Sequence, residues 1–371
     1  MKICIVGPSF GYGGANIVAS TIGKELSKEN EVFYYSYKFR ENYSKLPEDK
    51  LFFSSKKEKR MLSKFGKGLE LAFKKEFTPS KYKKNEINDL FEIIEKNSVD
   101  VVILNSFIAV TIFAEELKNK FSNIKVIAWM HEDPDYAFNE LAKNYLTSFS
   151  KSLKIVDSIV CLSEKAYDIY REINNNTQVI YNPMVLESGR ISDLNDKVVS
   201  FTARLNVKVK GLDFLCEIAR EIPDDWKIRI AGNGRPEEVQ EFLNLISERN
   251  VSDKIEYVGP LKGKALEEHY LKSSIFLSTS RTEALPLVII EALSYGLPII
   301  SFDHSGAKEL LDNGEIGILV SDFDTQLMVK KINLLIMNKS LRKKYQDKSL
   351  LKAKLFDINV IMSEWKNVLN D

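Results

Sequence analysis

The chain reads as an α/β protein made of two doubly wound, Rossmann-like domains facing a central cleft. Three observations predict this. Short apolar runs alternate with longer amphipathic ones, the pattern of buried parallel strands flanked by helices on both faces. The alternation gives way to a polar stretch from Glu187 to Lys197 and then restarts. At 371 residues the chain is also too long for one ordinary core.

In chain order, strands are expected at 3–7, 32–35, 101–105, 126–130, 159–162 and 179–181, with helical stretches between most of them. A linker is expected after Asn182-Pro183, giving domains over 1–183 and 184–350. The second set of strands is expected at 198–202, 228–232, 255–259, 275–278, 299–302 and 316–320. Each is short and apolar enough for a buried parallel strand. Doubly wound sheets bind ligands outside the carboxyl ends of their strands, so functional residues should sit in the loops that follow them.

Composition narrows the partners. The chain is 44% hydrophobic and 28% charged, as in globular proteins, and a formal net charge of +1 provides no global field for nucleic acid. The opening run Met1 to Pro8 has neither the length nor the flanks of a signal peptide, and no stretch approaches a membrane span. Cys4, Cys161 and Cys216 lie far apart inside apolar runs and are expected to be buried thiols. A cytoplasmic location follows as an expectation, with peripheral attachment at the inner face of a membrane as an extension of it. That extension comes from Lys50–Lys84, where Lys and Arg crowd between Phe52, Phe53, Phe65, Phe73, Phe77 and Tyr82. Such a segment suits an anionic membrane surface or acceptor; equally, it suits a solvated helical face with ordinary core aromatics.

The most informative stretch runs from Arg281 to Pro298. A strand is followed by a polar loop, Pro286 at an expected first helical position, an apolar helix, and Gly296 and Pro298 as a stop. The helix N-terminus would present free backbone N–H groups around Leu285 to Val288 to an anion such as a diphosphate. Glu283 and Glu291 would bracket a bound ligand. Taken alone, they also suit a dipole-favoured acid and a solvated helical residue.

Glu283 and Glu291, in the context Glu-Ala-Leu-Pro-Leu-Val-Ile-Ile-Glu-Ala-Leu-Ser-Tyr-Gly-Leu-Pro, resemble the E-x7-E signature of family 4 retaining glycosyltransferases, which have the GT-B fold. Further landmarks of that family follow in order along nearly the whole chain. Gly11-Tyr12-Gly13-Gly14-Ala15 resembles its glycine-rich first loop, with Asn16 where the family usually carries Glu. His131, closing a predicted strand, matches the family histidine that contacts the donor sugar. Arg204 and Lys210 resemble the two cations that stabilise the leaving diphosphate; Ala203 stands where glycine is common. The loops with Gly232 and Gly234, and with Val258 and Leu261, match those beside the nucleotide. The run Phe302 to Glu309, with Gly314 and Gly317 after it, resembles the closing loop.

The resemblance implies an acceptor-side first domain and a nucleotide-sugar-binding second domain, with the helix over 351–371, including Trp365, packing back on the first. It implies His131, Arg204, Lys210 and Glu283 as catalytic residues. Gly13, Gly14, Gly232, Gly234, Val258, Leu261, Ala284, Leu285, Pro286, Leu287 and Glu291 would bind donor. No cofactor and no metal are expected, although Asp133-Pro134-Asp135 and Asp322-Phe323-Asp324 fit the weak D-x-D pattern of metal-dependent transferases. The implied activity is retaining transfer of a hexose or N-acetylhexosamine, UDP-linked by default, to a glycan, glycolipid or glycoprotein hydroxyl in surface polysaccharide or glycoconjugate synthesis. A GT-B epimerase or phosphorylase, or a non-catalytic nucleotide-sugar-binding subunit, would share many of these features. A dehydrogenase is disfavoured because no G-x-G-x-x-G follows the first strand.

Overall fold

The computed structural model describes residues 1–55, 60–186 and 189–370, and in residues 60–65 the backbone. The chain divides into two compact units, Met1–Tyr181 with Ile361–Asp371, and Asn182–Val360.

The first unit is built on a seven-stranded parallel sheet of β1 (Lys2–Gly7), β2 (Glu31–Ser36), β3 (Leu51–Phe53), β4 (Val101–Asn105), β5 (Lys125–Trp129), β6 (Ser158–Cys161) and β7 (Thr177–Val179), in the order β3-β2-β1-β4-β5-β6-β7. Burial on both faces explains the near-continuous apolar runs: Ile3, Cys4, Ile5 and Val6 are all fully buried, as are Val102, Ile103 and Leu104. The second unit carries six parallel strands: β8 (Val198–Arg204), β9 (Lys227–Asn233), β10 (Ile255–Gly259), β11 (Ile275–Ser278), β12 (Ile299–Phe302) and β13 (Ile318–Val320). Their order is β10-β9-β8-β11-β12-β13. Each sheet therefore has a switch point, β1/β4 in one and β8/β11 in the other. There the chain winds away in opposite directions and leaves a crevice at the carboxyl ends.

The last helix, Ile358–Asn370, buries Ile361, Met362, Trp365, Val368 and Leu369, the spacing of a single helical face. Trp365 meets Trp129 edge-on at 4.7 Å between ring centroids, and Lys125 Nζ donates to Val368 O at 2.5 Å. The three cysteines are free and buried.

The basic segment departs from its sequence reading in part. Leu51–Phe53 is the edge strand β3, too short for its periodicity to show and held by pairing with β2. Phe52 packs against the core, and Phe77 packs edge-on against Tyr145 at 5.3 Å. On the helix Arg60–Lys74, by contrast, Leu69 is 45% and Phe73 84% exposed. Lys56, Lys57 and Lys59, and the side chains of Arg60 and Phe65, lie outside the described residues, as do Glu187 and Ser188 of the expected linker. No helix among the described residues is long and apolar enough to cross a membrane.

Candidate functional site

In the second unit Arg204, Lys210 and Glu283 gather at the β8/β11 switch point, and the other predicted residues lie at or beyond the carboxyl ends of β9, β10 and β11. Arg204 closes β8, and its guanidinium lies 3.1 Å from Glu238. Glu238 also accepts the Arg235 backbone N–H at 2.8 Å and Asn206 Nδ2 at 3.2 Å. The Arg235 backbone N–H, and then the Arg235, Asn206 and Arg204 side chains, hold the Glu238 carboxyl down to about 2 against its burial. Glu238 is thus a fixed anion that tethers Arg204, whose own side chain remains 59% exposed.

Lys210 ends the short helix Val207–Lys210. Gly211, next in the chain, has φ +61°, and a Cβ there would stand 2.0 Å from Thr279 O. Only glycine allows this turn to lie so close to the exit of β11. Thr279 Oγ1 donates to Lys210 O at 2.8 Å and fixes the approach. Lys210 Nζ donates to Glu283 Oε1, which also accepts from Ser280 Oγ at 3.1 Å. Both charged side chains are about four-fifths buried, at 19% and 20% exposure. The Glu283 carbonyl in turn accepts from Gly306 N and Ser305 Oγ, each at 3.1 Å. The sequence separates the roles of Lys210 and Glu283; the structure makes them one ion pair.

Gly232 lies at the end of β9, where a Cβ would meet Ala203 O at 2.1 Å, and Gly234 follows it. Tyr257 Oη donates to Gly232 O at 3.2 Å, tying in the end of β10, where Val258 and Leu261 are half-buried. After Glu283 come Ala284 and Leu285, then the helix Leu287–Ser294. Pro286 is its N-cap, with ψ 113°, and not its first helical residue. Glu291 is not a solvated helical acid. Its Oε2 accepts from Tyr270 Oη at 2.7 Å, Tyr270 stacks on Tyr295 at 5.3 Å, and burial pushes the carboxyl up to about 7.

The first unit holds the other three predicted residues. Gly13 and Gly14 follow β1 at the start of the helix Gly14–Leu26. His131 follows β5, and its Nε2 lies 2.5 Å from Oδ1 of Asn105, the last residue of β4. Burial pushes the imidazole down to about 3, so it is neutral near pH 7. Glu132 Oε2 accepts His131 N–H at 3.2 Å and Phe107 N–H, at the start of the helix Phe107–Lys120, at 3.4 Å. Burial raises Glu132 to about 7, with these N–H groups opposing, and the ring hydroxyls of Tyr37, Tyr145 and Tyr170 feel its charge.

Because the folded-state value of Glu132 is raised, its contribution to stability is complete below about pH 4.5 and is lost as pH rises through about 7. Glu132→Gln keeps an acceptor oxygen and removes the ionisation. Relative to the parent, it should gain on the order of 3 kcal/mol between acid pH and pH 8. Parallel urea melts across that range read this directly; equal pH slopes in the two proteins would contradict it.

Both D-x-D triplets have structural partners. Asp133 caps the turn Pro134–Tyr136 and, with Asp135, pairs with Lys165, while Asp324 caps the helix Thr325–Met337. Among the described residues no cluster of three or more His, Cys, Asp or Glu side chains is placed to hold a metal.

Four residues bonded to predicted ones, two in each unit, escape the sequence reading: Asn105 and Glu132 in the first, Glu238 and Tyr270 in the second. The one with a usable signal is Asn105, a polar residue ending an otherwise apolar buried strand, Val-Val-Ile-Leu-Asn. Glu238 and Tyr270 act on residues 34 and 21 positions away, which no local pattern reveals.

Two parallel, doubly wound units, each with a switch point at its carboxyl edge, constitute the GT-B architecture. Over its full length the chain superposes on the whole of the crystal structure of Anabaena Alr3699/HepE in complex with UDP, with TM-score 0.79 at 16% identity. Residues 189–350 match the family described as glycosyl transferases group 1. An uncharacterized glycosyltransferase of Haemophilus influenzae is 32% identical over 290 residues, 76% of this chain and 79% of the relative. The chain belongs to this glycosyltransferase family. It is also 24% identical, over 378 residues covering 100% of this chain and 98% of the relative, to a Campylobacter jejuni enzyme. That relative is named GalNAc-alpha-(1->4)-GalNAc-alpha-(1->3)-diNAcBac-PP-undecaprenol alpha-1,4-N-acetyl-D-galactosaminyltransferase.

Proposed function

We propose that the chain transfers a hexose or N-acetylhexosamine from a UDP-sugar to a hydroxyl of a glycan or lipid-linked acceptor in bacterial surface-glycan synthesis, with retention and without a metal ion. The observation that carries this reading is the fixed Lys210–Glu283 pair at the β8/β11 switch point, with Arg204 at the end of the neighbouring strand. Arg204 and Lys210 bind the diphosphate and stabilise the charge it gains as the anomeric C–O bond breaks. Glu283 holds sugar hydroxyls and Glu291 the ribose. His131 contacts the transferred sugar. The acceptor oxygen bonds to the anomeric carbon on the face the diphosphate leaves, and the acceptor proton passes to a departing phosphate oxygen.

Calorimetry with UDP, GDP, ADP and NAD in EDTA tests the donor half of this reading. UDP is expected to bind, and the Arg204→Ala/Lys210→Ala double variant to lose that binding. Binding of NAD alone, or nucleotide binding that needs added metal, would refute it.

The lipid-linked acceptor is supported by the activity for which the Campylobacter relative is named and by the exposed Leu69 and Phe73 beside Lys74 and Lys75. Rings and aliphatic side chains can enter the interface while each lysine near an anionic surface adds about 1 kcal/mol. A Leu69→Ser/Phe73→Ser/Lys74→Glu variant is therefore expected to lose cosedimentation with phosphatidylglycerol vesicles while still binding UDP. Undiminished cosedimentation would remove the membrane part of the reading.

A further inference from the structure

Asn105 and His131 stand at the carboxyl ends of adjacent strands, and their side chains meet at 2.5 Å. A neutral imidazole has one N–H and one bare nitrogen, and an amide oxygen only accepts. Facing Asn105 Oδ1, Nε2 must carry the proton, which leaves Nδ1 as the acceptor of the ring. The ring is braced on another side by Trp129, 4.6 Å away between centroids, and Trp129 is backed by Trp365. The backbone N–H of His131 is held by Glu132.

Asn105 itself is 1% exposed, and its Nδ2 is buried without a hydrogen-bond partner. Buried polar groups are normally satisfied, and an apolar residue would avoid this unmet donor. Packing alone therefore gives no reason for an amide at the end of β4; the bond to His131 does. The position is central as well. A Cβ on Gly7, at the end of β1, would lie 3.5 Å from Asn105 Nδ2, so the amide sits at the β1/β4 switch point of the first unit.

We propose that Asn105 is a positioning residue for His131, fixing its Nε2–H tautomer so that Nδ1 accepts a hydrogen bond from a hydroxyl of the transferred sugar. The second half of this statement rests on His131 contacting the donor sugar, as read above. The ring is then an acceptor and cannot donate to that sugar or to the leaving phosphate.

The test uses the full chain labelled with ¹⁵N-histidine, the His131 signals being those lost in His131→Ala. A pyrrole-like Nε2 and a pyridine-like Nδ1 are expected, unchanged between pH 5 and 8. Asn105→Leu should mix the two tautomers, whereas Asn105→Asp, which keeps the acceptor, should restore the single one. In UDP release from UDP-N-acetylglucosamine, Asn105→Leu should lower turnover about tenfold, the worth of one hydrogen bond, with UDP affinity unchanged. Added to His131→Ala it should cost nothing more. A pyridine-like Nε2 in the parent protein overturns the proposal, and so does an undiminished effect of Asn105→Leu in the His131→Ala background. Full turnover by His131→Ala, with the tautomer as expected, instead overturns the reading of His131 as a sugar contact and leaves the positioning by Asn105 standing.

Discussion

Lys210→Met is expected to lower UDP-sugar turnover by about 10²–10³-fold, the usual loss when one fixed stabiliser of developing charge is removed. The same change leaves Glu283 in a largely buried setting without its cation, which should also lower the stability of the second unit. Two effects are therefore folded into one variant, and a double-mutant cycle separates them. Lys210→Met/Glu283→Gln should be more stable than Lys210→Met, because the unpaired charge is gone, yet no more active. Thermal melts and steady-state rates on the four proteins read both quantities. Recovery of turnover in the double variant would show that Lys210 serves only to neutralise Glu283 and not the diphosphate.

Trp365→Ala should destabilise the first unit by about 3–5 kcal/mol, the range for deleting a large buried aromatic. The ring is fully buried and lies edge-on against Trp129, which in turn supports the ring of His131. Unfolding of a protein with two compact units need not be two-state, so the expected result is a shift of one transition with the other unchanged. Intrinsic fluorescence suits the measurement: of the three tryptophans, Trp129 and Trp365 lie in the first unit and Trp226 in the second. Trp365→Phe should recover much of the loss. A shift of both transitions, or of neither, would mean that the Trp365–Trp129 contact does not carry the stability assigned to it.

The parallel sheets were legible because their strands are buried on both faces, which leaves apolar runs such as Lys-Ile-Cys-Ile-Val-Gly that are hard to mistake. The gathering of Arg204, Lys210, Glu283 and Glu291 at one sheet edge was likewise legible, since each residue lies at the end of a strand or in the segment that follows one. What the sequence conceals is the pairing between such loops. Nothing near Lys210 announces that its ammonium meets Glu283, or that Glu238, one of two glutamates after Pro236, anchors Arg204. The partner of Glu291 is hidden in the same way, because helical spacing reports a face and not what meets it; Tyr270 does so here. β3 escaped because three residues show no period, and its pairing with β2 is a property of the fold.

The composition of the first unit, residues 1–181 together with 361–371, bears on its biosynthesis. Trp129 is synthesised early, but the ring that closes over it arrives only after the intervening second unit has been translated. At roughly 5–20 residues per second, that interval is on the order of ten seconds or more. Throughout it the nascent first unit lacks the ring that packs edge-on against Trp129, whereas every strand of the second unit, contiguous in the chain, is made before Trp365. The second unit is thus complete in the chain before the first, and the helix Ile358–Asn370 acts as the fastener of a unit whose strands were made before it.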